Sequence, residues 1–401
     1  MAKKKIVVLG AGYGGLRVIK GLQKKHLDAE IVLVNKNSYH YEATYLHEVA
    51  AGTHDSDKIC FDLKQVVNEK KVTFIQDTVE KINKDSKTVS LQKGNDLSYD
   101  YLVVALGFES ESFNIPGVEE NSLCLVDIPT ATAARKHLEA QLANYATSKD
   151  VNDLSIAVCG AGFTSIEYLG ELTNLLPKLA KKYGFPLEQV KITCIEAMDK
   201  LLPMFPEKLS NYAIDKLKTR GVTFCVGTPI KEIKSGAVVY QKGEQLEEVA
   251  ANTIIWTTGV KGSSVIEGSG FDARRGRVMV NEDLTVPSNE EIFMIGDVSA
   301  VMNKENNRPY PTTAQIALKQ ADTVVVNLEA KLNNKATQAF SFTSAGTVCS
   351  IGDNEAIAEV GGKHFKGYLA SVMKKGVADK SLLQVGSANV LLKKGRFDFY
   401  H

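Results

Sequence analysis

The segment from Lys5 to Gly15 runs without a break into Leu16, Arg17, Val18, Ile19, Lys20, Gly21 and Leu22. An apolar, β-branched stretch ends on Gly10, and glycines stand at 10, 12 and 15. Apolar residues at 16, 18, 19 and 22 then follow with helical spacing. A strand, a tight turn and a helix are predicted in that order. In such a unit Gly10 permits the turn, Gly12 leaves the backbone open to a pyrophosphate, and Gly15 lets the helix close on the strand, while the helix N-terminus offers free N–H groups to the anion. A glycine-rich turn of purely structural use is the weaker reading, because the motif has its strand before it and its helix behind it.

The run Glu30 to Asn35 completes a βαβ unit. Dinucleotide-binding units carry an acid at the end of this strand for the ribose hydroxyls, and Asn35 stands there instead; its amide oxygen can also accept from a hydroxyl. An aromatic and histidine-rich segment from Asn37 to Gly52 follows at the carboxyl edge of the sheet, where ligands bind in open α/β folds. Residues 71–91 read as a hairpin excursion, and Tyr99 to Gly107 as a return strand.

Residues 154–260 repeat this plan. Gly160-Ala161-Gly162 answers the first loop, with Ser165 at the place of the third glycine, where slightly looser helix packing is expected. The run Lys191 to Glu196 answers the second strand and this time ends on an acid, Gly221 to Ile233 answers Lys71 to Ile82, and Thr253 to Gly259 answers the strand ending at Gly107. Four matched elements recur in the same order roughly 150–160 positions later, so the chain is expected to hold two dinucleotide-binding units. A carboxylate at Glu196 accepts both ribose hydroxyls and repels a 2′-phosphate, which favours NADH over NADPH, although Lys200 lies nearby.

At 401 residues the chain should form two or three domains. A formal charge of +1 provides no global attraction to nucleic acid, and no nucleic-acid partner is expected. No run of about 18 apolar residues predicts a transmembrane helix. Met1 to Lys5 lead directly into the first strand without a signal-peptide core, from which a cytoplasmic location is expected. The six cysteines, at 60, 124, 159, 194, 225 and 349, show no C-x-x-C spacing and read as free, mostly buried thiols; no metal-ligand motif is present.

The run Glu291 to Asp297 is a third apolar strand ending on an acid, and Pro311, Thr312 and Thr313 are good start chemistry for a helix from Ala314 to about Ala330. Residues 340–362 read as short strands, and residues 366–401 as a basic, apolar tail. The order of glycine loop, return strand, second glycine loop and Gly-Asp strand resembles the two-dinucleotide-binding-domain flavoproteins. Within them the two loops, Tyr39-His40-Tyr41, and the segment Arg308 to Ala317 resemble the type II NADH dehydrogenases, single-subunit, non-pumping NADH:quinone oxidoreductases, from residue 5 to the Lys393–Phe397 segment.

The resemblance implies an α/β fold of two Rossmann-like dinucleotide-binding domains, for FAD and NADH, plus a C-terminal amphipathic membrane-anchoring region. The expected division is 1–115 and 265–335 for the FAD domain, 116–264 for the NADH domain and 336–401 for the membrane and quinone side. It assigns Gly10, Gly12, Tyr13, Gly14, Gly15, Asn35, Lys36, Ala105, Gly107, Asp297, Ala314 and Gln315 to FAD. Gly160, Gly162, Phe163, Thr164, Glu167, Glu196 and Gly259 are assigned to NADH. The helix N-terminus at Ala314 and Gln315 would stabilise the reduced flavin, and Gln320 would hydrogen-bond a quinone carbonyl. Glu167, which by itself reads as a solvated helix position four residues before Glu171, is implied to be partly buried beside the flavin, with a raised pKa and a part in proton relay or nicotinamide placement.

In the tail, Tyr368, Leu369, Val372, Met373 and Val377 are spaced for one helical face. Leu382, Leu383, Val385, Val390, Leu391, Leu392, Phe397, Phe399 and Tyr400 continue the apolar supply among Lys374, Lys375, Lys380, Lys393, Lys394 and Arg396. That pattern suits an anchor lying on an anionic membrane at the cytoplasmic face, or a helix packed on the core. Lys374 matches the family's quinone-side lysine, and a homodimer is implied. Two other readings are a sulfide:quinone oxidoreductase, for which Cys159 and Cys349 are the one candidate redox pair, and a non-respiratory module that binds FAD and NADH.

Overall fold

The computed structural model describes residues 3–397; Phe399 and Tyr400 lie outside the described residues. The predicted first strand, Lys4–Leu9, pairs in parallel with Ala29–Asn35 on one side and Tyr101–Val104 on the other. The sheet runs in the order 285–286, 289–294, 101–104, 4–9, 29–35, 73–76, all parallel except its first edge strand. Its central strands are almost wholly apolar because both faces are covered, and the antiparallel meander of residues 79–98 packs into the same core as helices 13–23 and 314–332. The expected excursion is an antiparallel meander of Val79–Asn83, Thr88–Leu91 and Leu97–Ser98.

A second parallel sheet has the order 123–124, 253–256, 155–159, 191–195, 222–225, the internal repeat in three dimensions. Two antiparallel strands, Phe108–Ser110 and Val260–Gly262, carry the chain out to this unit and back. In both sheets the glycine loops lie at the carboxyl ends of the strands, the edge at which such folds hold their ligands.

Helix Ala314–Leu332 is capped by Thr313, whose hydroxyl accepts from the Ile316 N–H at 3.3 Å. It lies along helix Tyr13–Gln23, to which it is tied by the Arg17–Asp322 and Lys25–Glu329 pairs at 2.7 and 2.6 Å. The helix start predicted from Pro311 and the threonines is therefore delivered to the first glycine loop.

The last part comprises a three-stranded antiparallel sheet, Thr347–Ser350, Ala356–Val360 and Lys363–Gly367, then helices Tyr368–Val385 and Ala388–Lys394. The tail is not a free amphipathic stripe. Ala370, Ala378, Leu382, Val385 and Val390 are buried on the body of the protein. Leu369, Val377, Leu383 and Leu392 face outward, and the apolar supply is thus divided between core and surface. Lys20 donates to the carbonyls of Leu383, at 3.0 Å, and Gly386, and caps the C-terminal end of the longer helix with a cation.

Candidate active site

Both glycine loops are built alike. A Cβ on Gly15 would stand 1.9 Å from the Gly10 carbonyl oxygen, so only hydrogen fits where the helix meets the turn. The middle glycines, Gly12 and Gly162, have nothing within 4 Å of a would-be Cβ, and neither helix they open has a side-chain cap. Each loop therefore presents open backbone and uncapped N–H groups, the requirements for an anionic ligand. Gly10 and Gly160 take positive φ of 95° and 93°.

The strand-end residues secure these loops. Asn35 Oδ1 accepts from the Ala11 N–H at 2.9 Å, and Glu196 Oε2 accepts from the Ala161 N–H at 2.7 Å. The departure from acid to amide in the first unit leaves this contact intact. Glu196 Oε1 also accepts from the Met198 N–H at 2.9 Å, and a carboxylate retains capacity for further donors. Ser165 is fully buried with its hydroxyl 2.9 Å from that of Thr257, so the missing third glycine is replaced by a hydrogen bond across the helix–strand contact.

Around the first loop, Tyr13 hydroxyl meets Thr44 at 3.0 Å, and the Ala105 carbonyl lies against Gly10. Gly107 has positive φ and open space at its Cβ. Gly14 approaches Ile295 and the Ala317 carbonyl, which brings the Asp297 turn and the start of helix 314–332 to the same place. Burial pushes the Asp297 carboxyl up, opposed by Arg277 and by a hydrogen bond to Thr312. Ala314 and Gln315 stand in the first turn of that helix, with Gln315 Nε2 donating to the Gly346 carbonyl at 3.3 Å. Lys36 makes an exposed pair with Asp127 at 3.4 Å. On the second unit Phe163 packs on Phe205, Thr164 is exposed, and Gly259 lies under the Phe113 ring.

Gln320 points inward. It is 2% exposed, its Oε1 accepts from the Gly296 N–H at 2.7 Å, and its Nε2 donates to Ser299 at 3.3 Å. Both ends of the amide hold the turn that carries Asp297 instead of standing free for a quinone carbonyl.

Glu167 is 5% exposed, and its surroundings reverse the expected pKa shift. Burial alone would raise it, but Lys374, then His47 and the Ser350 N–H, hold the carboxyl below its ordinary range. Lys374 Nζ pairs with Oε1, His47 Nδ1 lies 3.4 Å from Oε2, and the Ser350 N–H donates to Oε1 at 3.1 Å. One turn further along the same helix Glu171 does rise, pushed up to about 7 by burial and by Glu48. His47 is held down by burial, although Glu167 favours its protonation.

His47, Tyr45, Ser350 and Arg396 were not assigned site roles from the sequence. The histidine-rich segment was noted for its position, but nothing local says that His47 meets a helix more than a hundred residues later. Cys159 and Cys349 are not brought together. Cys159 is buried in the cluster around Trp256 and Cys349 in a different one, and all six cysteines are free.

Two matched cradles on parallel sheets, the second with an acid at its strand end, define a pyridine-nucleotide-linked oxidoreductase, and residues 4–321 match the pyridine nucleotide-disulphide oxidoreductase family. Proteins named type II NADH:quinone oxidoreductase, from Staphylococcus aureus strains NCTC 8325 / PS 47 and MRSA252, are 43% identical over 399 residues, 98% of this chain and 99% of theirs. The chain belongs to the type II NADH:quinone oxidoreductases. Its fold is that of NDH2 from Plasmodium falciparum, solved in complex with NADH, at TM-score 0.87 and 19% identity, with 98% of this chain and 97% of that one covered. The sulfide:quinone oxidoreductase of Aquifex aeolicus shares it at TM-score 0.79 and 22% identity, over 99% and 96% of the chains.

Proposed function

We infer that the protein transfers two electrons from NADH through FAD to a membrane quinone without pumping protons. The observation that carries this reading is the buried Glu167–Lys374 pair, which joins the helix of the second glycine loop to the tail helix. FAD, when bound, would supply the two-electron redox chemistry that links NADH to quinone.

The residues present fit both nucleotides. The open, uncapped loop at Gly12 suits the FAD pyrophosphate, Asp297 and Gly107 lie at the same edge, and the first turn of helix 314–332 directs its partial positive charge toward it. The loop at Gly162 with Glu196 suits NADH. Gln320 holds the Asp297 turn in register. Lys374 is the cation on the quinone side, and Glu167 holds it in place. Its N–H groups can donate hydrogen bonds to a quinone oxygen, whereas Glu167, held in its charged form, has no proton to give. The sulfide alternative lacks its cysteine pair.

The domain division given above belongs to this reading, supported by the crossing strands Phe108–Ser110 and Val260–Gly262, which end just before residues 115 and 264. Anaerobic titration of the yellow protein with NADH, then with a menaquinone analogue, should bleach the flavin band and restore it. A band that NADH does not bleach would refute the reading.

The protein is further proposed to lie on the anionic, cytoplasmic face of the cell membrane, as a homodimer. No helix among the described residues is long and apolar enough to cross a membrane. Leu392 is 75% exposed, and Leu369, Leu383 and Phe397 are about half exposed, beside exposed Lys366, Lys380 and Lys393. Removing residues 366–401 would also remove Lys374 and buried core, so the clean test is Leu369→Gln/Leu383→Gln/Leu392→Gln. This variant should keep its flavin and NADH reduction but cease to sediment with anionic vesicles; unchanged sedimentation would remove this surface from the account.

A further inference from the structure

Directly after helix Ala388–Lys394, Gly395 and Arg396 fold back onto the protein. Lys58 Nζ donates to the Gly395 carbonyl at 3.4 Å, and the Arg396 N–H donates to Asp379 Oδ1 at 2.7 Å. The Arg396 side chain is 3% exposed. Its Nη1 pairs with Glu48 Oε2 at 2.8 Å, and its guanidinium carbon lies 4.1 Å from the centre of the Tyr45 ring. The Lys374 ammonium lies 5.4 Å from the centre of the same ring. Two cations, one from each of the last two tail segments, thus share one buried aromatic ring.

A side chain needed only to fasten a tail would be apolar here. Burying a guanidinium costs several kcal/mol unless its donors are matched, and Nε and Nη2 of Arg396 have no hydrogen-bond partner among the described residues. One carboxylate, Glu48, is paired with it. Glu48 adjoins His47 in the chain, and Glu42 Oε1 is buried and without a partner among the described residues. Burial pushes Glu42 up to about 8, against the pull of Arg396. If Arg396 were missing, Glu48 would be a buried carboxylate without its partner beside the ring that Lys374 also approaches, and that ring would be free to tilt.

We propose that Arg396 is a positioning residue for quinone reduction: by occupying Glu48 and the Tyr45 ring, it leaves Lys374 with Glu167 as its single carboxylate partner. The proposal rests on the reading of Lys374 and Glu167 as the quinone-side pair. The groups that face Lys374 are Glu167, His47 and Cys349, with Tyr45. Those that face Arg396 are Glu42, Glu48, Glu171 and Asp379, with His47, Tyr13 and the other side of the same Tyr45 ring.

The holoenzyme variants Arg396→Met, Arg396→Lys, Tyr45→Leu and Lys374→Met, and the double variant Lys374→Met/Arg396→Met, are compared in two assays: stopped-flow reduction of the flavin by NADH, and turnover with menadione as acceptor across pH. Arg396→Met should leave flavin reduction within about twofold of the parent, lower kcat with menadione at least about fivefold and displace its pH profile. Tyr45→Leu, which keeps the Arg396–Glu48 pair, should lose activity in the same assay, Arg396→Lys should recover most of it, and the double variant should be no slower than Lys374→Met. Arg396→Met with the parent's kcat and pH profile, equal losses in both assays, or additive losses in the double variant would overturn the proposal. A Lys374→Met enzyme as fast as the parent would overturn the underlying pair as well, so the two failures are distinguishable.

Discussion

Replacing Lys374 with Met removes the cation from a carboxylate that has almost no solvent. Losing one partner of a buried ion pair costs roughly 3–5 kcal/mol, but proton uptake sets a ceiling on the loss. Neutralising at pH 7 a carboxyl that ordinarily titrates at 4.5 costs about 3.4 kcal/mol, at 1.36 kcal/mol for each pH unit. The variant should therefore be about 3 kcal/mol less stable than the parent at pH 7 and only about 1.4 kcal/mol less stable at pH 5.5. The sign follows from linkage. In the parent, the folded-state pKa of Glu167 is depressed, so its contribution is present above the ordinary value and lost only as the pH falls through the lower folded one. In the variant, burial is no longer opposed by the ammonium, and the folded state holds a proton that the unfolded chain has released. Stability then falls as the pH rises toward neutrality. His47 can take that proton in place of Glu167, since its ring lies against the carboxylate and is itself held neutral by burial; the pH dependence then keeps its sign and the loss at pH 7 is smaller than about 3 kcal/mol. Urea unfolding followed by the fluorescence of Trp256, the single tryptophan and 1% exposed, measures the difference. A gap equal at both pH values, or one that widens in acid, would refute the reasoning.

Glu196→Ala removes the acceptor of the Ala161 N–H and the charge that disfavours a 2′-phosphate. The KM for NADH should rise about tenfold with kcat little changed, and the preference over NADPH should narrow, as steady-state assays with both donors would reveal. Gln320→Leu leaves the Gly296 N–H without its acceptor at a cost of about 1–3 kcal/mol. Here FAD should dissociate more readily on dilution, as seen by recovery of free-flavin fluorescence, while the quinone KM stays unchanged; a raised quinone KM with normal flavin retention would return Gln320 to the substrate.

Local chemistry determined the two cradles. The strand, glycine turn and helix at Lys5–Leu22, and their repeat after Gly160, are legible because hydrophobic period and glycine placement act over a few residues. The same holds for the Thr313 cap, and for the acid at Glu196, whose place follows from the strand it ends. The tertiary structure alone decided the charge state of Glu167. Helical spacing put Glu167 and Glu171 on one face, but the sign of the shift at Glu167 depends on Lys374, 207 positions away, and on His47 from the first half of the chain. Gln320 shows the same limit at short range: its place on the helix was readable, whereas the inward turn of its amide depends on where the Gly296 turn packs. Arg396 looked like one more surface cation in a basic tail. Whether a charge is solvated or buried against Glu48 and Tyr45 depends on how distant segments meet, and periodicity along the chain carries no information about that.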